Sequence, residues 1–245
     1  MHIKVINPDY GMSIDALQDR VEMLSAIARP DTEISMDCIT NTKVSIDSRL
    51  DIVLAGPEIV SRAIQAEKDG YDAVVLYCLS DPAITACREA VKIPVIGGGQ
   101  TSMLVACSLG NNFSIITTSE RRIPEKKESL RNMGIELNKL ASVRGINVSL
   151  DDTRKNTDET ISKLVEVGKR CRDEDAAEVI VLGCLSFAGM GSSVSDALGI
   201  PVVDPAFAAI NMAELLYVQK LSHSKITYPN PPSSDREWRK GYIKI

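Results

Sequence analysis

Two stretches of this chain are near copies of one another: Ala73-Val74-Val75-Leu76-Tyr77-Cys78-Leu79-Ser80 and Val179-Ile180-Val181-Leu182-Gly183-Cys184-Leu185-Ser186. Each is an apolar run that stops on a cysteine. Further on, Val91-Lys92-Ile93-Pro94-Val95-Ile96-Gly97 is echoed by Leu198-Gly199-Ile200-Pro201-Val202-Val203-Asp204, at the same offset to within one residue. A unit used twice constrains the fold more than any single motif, because both copies must bury the same faces. If the copies face each other, their equivalent cysteines meet across a cleft.

The rest of the chain fits a doubled α/β unit. Apolar, β-branched runs alternate with segments of helical period, the pattern of parallel sheets covered by helices. Strands are expected at Ile3 to Ile6, Ile34 to Cys38, Ala73 to Tyr77 and Ile93 to Ile96. Helices are expected at about Ser13 to Ala28, Leu50 to Asp69, and from Asp81-Pro82, which reads as an N-cap with proline at the first helical position. The second unit repeats this order: Phe113 to Thr117, a helix after Ser119, extended chain from Leu140 to Leu150, then a helix opened by a capping box at Asn156 and Glu159. Val179 to Leu182, a short Gly/Ser-rich helix or turn, Gly199 to Val203 and a helix from Pro205 to about Leu221 complete it. The segment from Tyr228 to Ser234 is too rich in proline for regular structure and is expected to pack as an extended arm. The expected fold is therefore two pseudo-symmetric, doubly wound (flavodoxin-like) α/β domains with parallel sheets and a site in the cleft between them. Residues 98–204 would form the second domain, and 1–97 plus 205–245 a discontinuous first one.

Composition narrows the function. The 245 residues are 44% hydrophobic and 25% charged, enough for a substantial core. A net charge of −5 with no Lys/Arg stripe argues against nucleic acid as a partner. No apolar run suits a bilayer, and Met1 to Asn7 lacks the pattern of a signal peptide, so a cytoplasmic protein without membrane contact is expected. The six cysteines form neither a CxxC nor a dense cluster, which points to free thiols rather than disulfides or a metal site. Only His2 and His223 are available to a histidine-dependent hydrolase, and both lie near the ends of the chain. Gly97-Gly98-Gly99 matches no nucleotide-binding signature and reads as a tight strand-to-helix turn.

Two opposed thiols suit one kind of chemistry. Removing a proton from carbon beside a carbonyl needs a strong base and stabilisation of the enolate. Inverting that carbon also needs an acid on the opposite face, so one thiolate and one thiol supply both roles and exchange them for the other enantiomer. Neither a metal nor another cofactor is required. Cys78 and Cys184 are the candidate catalytic pair, each expected beside a helix start that would lower its pKa and offer backbone N–H groups to an oxyanion. Asn7, Asp9, Leu79, Ser80, Thr117, Thr118, Gly183, Leu185 and Ser186 are the candidates for holding a small-molecule substrate. The remaining thiols, Cys38, Cys87, Cys107 and Cys171, read as core residues, Asp81 as a helix cap, and the charged run from Glu120 to Arg131 as a solvated helix face.

With these residues in place, the sequence resembles the aspartate/glutamate/hydantoin racemase superfamily over nearly its whole length. The hydantoin branch is the most similar, through Ile3-Lys4-Val5-Ile6-Asn7-Pro8, Cys78 with Asp81-Pro82, Ile93 to Gly97, Thr117-Thr118 and Gly183-Cys184. The resemblance implies two pseudo-symmetric domains, cofactor-independent racemisation by two cysteines and a homo-oligomer. It points to 5-substituted hydantoins or related cyclic ureides as substrates. Asp9-Tyr10, Ala83, Gln100 and Leu185 to Gly189 depart from the branch pattern where substrate would be held. An amino-acid racemase of the aspartate/glutamate type, a maleate-type cis-trans isomerase and a non-catalytic small-molecule binding protein are the alternatives.

Overall fold

The structure is a computed structural model that describes residues 1–149 and 152–232. Its first half runs β1 (His2–Tyr10), α1 (Ile14–Ser25), β2 (Glu33–Ile39), α2 (Arg49–Lys68), β3 (Ala73–Leu76), α3 (Ile84–Ala90), β4 (Val95–Gly97) and α4 (Gly98–Leu109). The second half repeats the order with β5 (Phe113–Thr117), α5 (Ile123–Asn132), β6 (Leu140–Gly145), α6 (Thr157–Asp173), β7 (Val179–Leu182), α7 (Gly191–Leu198), β8 (Val202–Val203) and α8 (Pro205–Val218). Each half builds a four-stranded parallel sheet, in the orders β2-β1-β3-β4 and β6-β5-β7-β8. The chain is an α/β protein with the repeat that the two copied segments imply.

Alternation along the strands sorts the core into three clusters. Val75 and Val181 point inward to a cluster shared by both sheets, where Leu24 of α1, Met103 of α4, Leu130 of α5 and Ile210 of α8 also lie. Val74 and Leu76 point outward to α2 and α3, and Ile180 and Leu182 outward to α6 and α7. Strands buried on both faces need continuous apolar sequence, which is why these runs carry no polar alternation. Helix α4 packs against β7 and β8 as well as β4, and α8 packs against α4, β3 and β4.

Four of the helix starts follow local chemistry, and one departs from it against expectation. Ser13, Ser48, Asn156 and Asp204 accept N–H bonds from the first turns of α1, α2, α6 and α8. Asn156 also donates to the Glu159 carboxylate, so this capping pair forms as its spacing predicts. The helix expected at Asp81-Pro82 instead begins at Ile84, because Asp81 (φ +46°) and Ala83 (φ +57°) adopt left-handed conformations. The Asp81 carboxylate turns away to accept N–H bonds from Gly99 (2.9 Å) and Gln100 (2.6 Å). It caps α4, not its own helix. Burial pushes its pKa up to about 6 against these two bonds and the nearby charges of Arg88 and Lys126.

This crossing contact explains the glycine run. A Cβ at Gly97 would lie 2.4 Å from the Asp81 carboxyl carbon, and one at Gly99 only 2.0 Å from the Leu79 carbonyl oxygen. Gly99→Ala is therefore expected to force the 78–81 loop outward, at a cost of about 1–3 kcal/mol. A fall in the urea midpoint at constant slope would show it, and an unchanged midpoint would contradict the close approach.

The tail expected as an extended arm is non-helical from Tyr228 to Pro232, with Tyr228 stacked near Arg88 and edge-on to His223. Ser233 and Ser234 lie outside the described residues, as does Leu150 at the end of the expected extended stretch. No helix among the described residues is long and apolar enough to cross a membrane.

Candidate active site

Parallel strands leave their carboxyl ends on one edge of the sheet, and in open α/β sheets that edge is where ligands bind. Cys78 follows β3, at the centre of the first sheet, and Cys184 follows β7, at the equivalent place in the second. Both border one cavity of about 340 Å³. All the residues read from the sequence as substrate-holding line it too: Asn7 and Asp9 from β1, Leu79 and Ser80 beside Cys78, Thr117 and Thr118 from the end of β5, and Gly183, Leu185 and Ser186 around Cys184. Neither histidine borders it, and Cys38, Cys87, Cys107 and Cys171 pack elsewhere in or against the core.

The backbone around the cysteines is tightly specified. A Cβ at Gly183 would stand 2.5 Å from the Ile116 carbonyl oxygen, so only glycine lets β7 turn into the cavity beside β5. Asp9 holds the β2–α2 loop over the mouth, accepting from the Ser45 hydroxyl (3.0 Å) and the Ile46 N–H (3.1 Å). Its own N–H donates to the Asn7 side-chain oxygen (3.0 Å), fixing the turn after β1.

The thiols differ from expectation in one respect. Only Cys184 precedes a helical turn, the 3₁₀ segment Leu185–Phe187, and its sulfur accepts from the Ser186 hydroxyl (3.0 Å) and N–H (3.5 Å). After Cys78 the chain makes no helix until α3, so Cys78 does not stand at the start of a helix in its own segment. Burial pushes the Cys78 thiol up to about 12, with Lys126 and the Ser80 N–H pulling the other way. Burial likewise raises Cys184, opposed by the two Ser186 bonds. Desolvation outweighs local polarity at both sulfurs and favours the thiol over the thiolate at each.

The charged run on α5 supplies a group that its composition does not advertise. Arg121 is a surface residue paired with Asp47, as expected of a solvated face. Arg122, Glu125 and Lys126 are instead buried, and Arg122 and Lys126 line the cavity. Glu125 and Lys126 lie in the first turn of α5 and Arg122 ends the 3₁₀ turn before it, so helical period alone does not separate these three from Arg121, four residues ahead of Glu125. Burial works to raise the Glu125 pKa, but Lys126, the Ser80 hydroxyl and Arg122 together hold it below its usual value. Ser80 donates to Glu125 and accepts from Arg122 (3.0 Å), so its hydroxyl is part of this network rather than free for substrate. The Lys126 ammonium is only 3% exposed, with Ser80 Oγ at 3.4 Å and Glu125 at 3.5 Å. Its field favours the thiolate at both cysteines. Tyr10, Met12, Arg20, Ile46 and Tyr77 complete much of the wall.

The arrangement places two thiols on the matching ends of two sheets, in one cavity that Arg122 and Lys126 also line. Comparison with known proteins identifies the family. The Asp/Glu/Hydantoin racemase family model matches residues 3–213. The hydantoin racemase of Rhizobium meliloti is 33% identical over 235 residues, covering 94% of this chain and 95% of the relative. Among solved structures, allantoin racemase from Klebsiella pneumoniae superposes with a TM-score of 0.90 at 28% identity, covering 97% of this chain and 96% of that one. Allantoin racemase from Pseudomonas fluorescens gives 0.88 at 28% identity, covering 97% and 100%. A family match along nearly the whole chain, with the repeat and the paired cysteines in register, makes this protein an isomerase: it belongs to the Asp/Glu/hydantoin racemase family.

Proposed function

We propose that this racemase inverts the ring carbon beside the carbonyl of 5-substituted hydantoins or related cyclic ureides, with Cys78 and Cys184 as its two acid–base groups. The observation that carries the reading is the convergence of these two thiols on one cavity from equivalent strands of the two halves. One cysteine, as thiolate, takes the proton from C5, and the C–H electron pair moves into the ring carbonyl as an enolate. The other, as thiol, returns a proton on the opposite face, leaving the pair with its charges exchanged. The reverse reaction begins from that exchanged state, so both enantiomers are served without a change of net protonation. Substrate entry displaces water, and the Lys126 cation compensates the negative charge that passes from sulfur to enolate and back.

The test is to follow the circular dichroism of single enantiomers of 5-benzylhydantoin, allantoin, aspartate and glutamate, and the conversion of achiral maleate to fumarate by ultraviolet absorbance. Loss of ellipticity with the cyclic ureides, none with the amino acids and no conversion of maleate are expected. Turnover of an amino acid or maleate with no reaction of any ureide would overturn the substrate assignment. Binding of ureides without loss of ellipticity would favour a binding protein instead.

A further inference from the structure

The cavity wall formed by α1 and the end of β3 carries donors with nothing to donate to. Tyr77 is 5% exposed and lines the cavity, yet its hydroxyl has no hydrogen-bond partner. The Nε of Arg20, also on the wall, is buried and unpartnered, as is the Nε of Arg154. The three groups form one cluster: both guanidinium groups act on the Tyr77 phenol, and Arg154 depresses Arg20. Arg20 holds itself by donating to the Ala16 carbonyl one turn back, and Arg154 donates to the Ala188 carbonyl (2.9 Å), in the loop after Cys184.

Of the carboxylates that act on this cluster, Asp19 is an exposed residue of α1, and Asp204 and Asp9 are committed elsewhere. Asp204 accepts from the N–H groups of Gly189, Ala206 and Phe207, and Asp9 holds the Ser45–Ile46 loop. Neither Arg20 nor Arg154 makes an ion pair among the described residues. Two half-buried guanidinium groups, each with a buried and unpartnered Nε, beside a phenol that burial pushes up to about 12 and so keeps protonated, are costly unless an anion joins them. The orphaned atoms are all donors. A carboxylate has only acceptors, about four lone-pair sites, and satisfies such a set completely. A ureido or amide group brings several N–H groups, for which only the Tyr77 hydroxyl among these three offers lone pairs.

We infer that Arg20 and Tyr77, backed by Arg154, form a subsite for a carboxylate on the substituent at C5 of the substrate. This rests on the cyclic-ureide reading above and narrows it to hydantoins with an acidic side chain. The ring would lie between the two sulfurs, with its substituent directed to the α1 wall.

The experiment compares enantiopure hydantoin-5-acetic acid with its amide, 5-(carbamoylmethyl)hydantoin, which has nearly the same shape without the charge. Wild type is expected to prefer the acid in kcat/KM by about tenfold or more, chiefly through KM, since a hydrogen bond to a charged partner is worth that much. Arg20→Met is expected to reduce the preference to about one, and Tyr77→Phe to reduce it severalfold. Equal use of acid and amide by wild type, or an unchanged preference in Arg20→Met, would overturn the subsite. A separate probe, the dianion succinate, is read by its effect on the melting temperature. A rise in wild type that Arg20→Met abolishes supports the subsite even if no hydantoin is turned over. No rise in wild type, alongside turnover of neutral hydantoins, rejects the subsite and leaves the racemase reading intact.

Discussion

Cys78→Ser and Cys184→Ser are each expected to lower racemisation by about 10²–10⁴-fold, the usual contribution of a positioned acid or base. Serine keeps the shape of the side chain but is a far weaker acid, so it neither forms an anion nor yields its proton at neutral pH. The informative result lies in what survives. With Cys78 replaced, Cys184 still abstracts the proton from the enantiomer presented to it and can return a solvent-derived one to the same face. That enantiomer exchanges its α-proton without inverting, and the other does neither. Cys184→Ser should show the same behaviour with the enantiomers interchanged. Proton NMR of each enantiomer in heavy water, with polarimetry on the same samples, separates exchange from inversion. Racemisation near the wild-type rate in either variant would end the two-base mechanism. Exchange of the same enantiomer by both variants would also end it, because the thiols would then not stand on opposite faces.

The double unit was legible because buried parallel strands must be apolar on both faces, and few sequences copy such a run together with a terminal cysteine. The cavity wall was legible at strand ends for the same reason, since a parallel sheet delivers the residues after its central strands to one edge. What the sequence hid was long-range and electrostatic. Asp81-Pro82 has the form of a local cap, yet the carboxylate caps α4 across the loop, a choice made by the close approach at Gly97 and Gly99. Glu120 to Arg131 looks uniformly solvated because charge alone does not report which helical face meets a cavity. Arg20 gives no signal in α1, where it is one charge among several; its place on the cavity wall and its neighbour Arg154, far away in the chain, are set by tertiary packing. The lowered thiol pKa expected from helix starts failed at Cys78 because the helix begins six residues later, leaving burial to dominate.

That dominance makes Lys126 the residue to remove next. Both sulfurs are raised by burial, and Lys126 is the foremost influence opposing this at Cys78. Since the Cys78 thiol is pushed up to about 12, its thiolate fraction grows about tenfold per pH unit across the neutral and mildly alkaline range, and kcat/KM of the wild type is expected to rise with it. Losing a nearby opposite charge raises a pKa by about 1–3 units. Lys126→Met should therefore cost about tenfold or more in kcat/KM at any fixed pH below the thiol pKa. Glu125 keeps Arg122 as its partner, so the variant does not strand a lone buried carboxylate, and Lys126→Arg should recover much of the rate. A structural role alone would also lower activity, so turnover is not the deciding readout. Iodoacetamide reacts with thiolate rather than thiol. Its rate at Cys78, followed by peptide mass spectrometry without substrate, should fall in Lys126→Met by a similar factor to kcat/KM and rise with pH at the same slope. An alkylation rate equal to wild type, with kcat/KM still reduced, would place Lys126 in the packing of α5 and leave the thiols to be activated by the substrate alone.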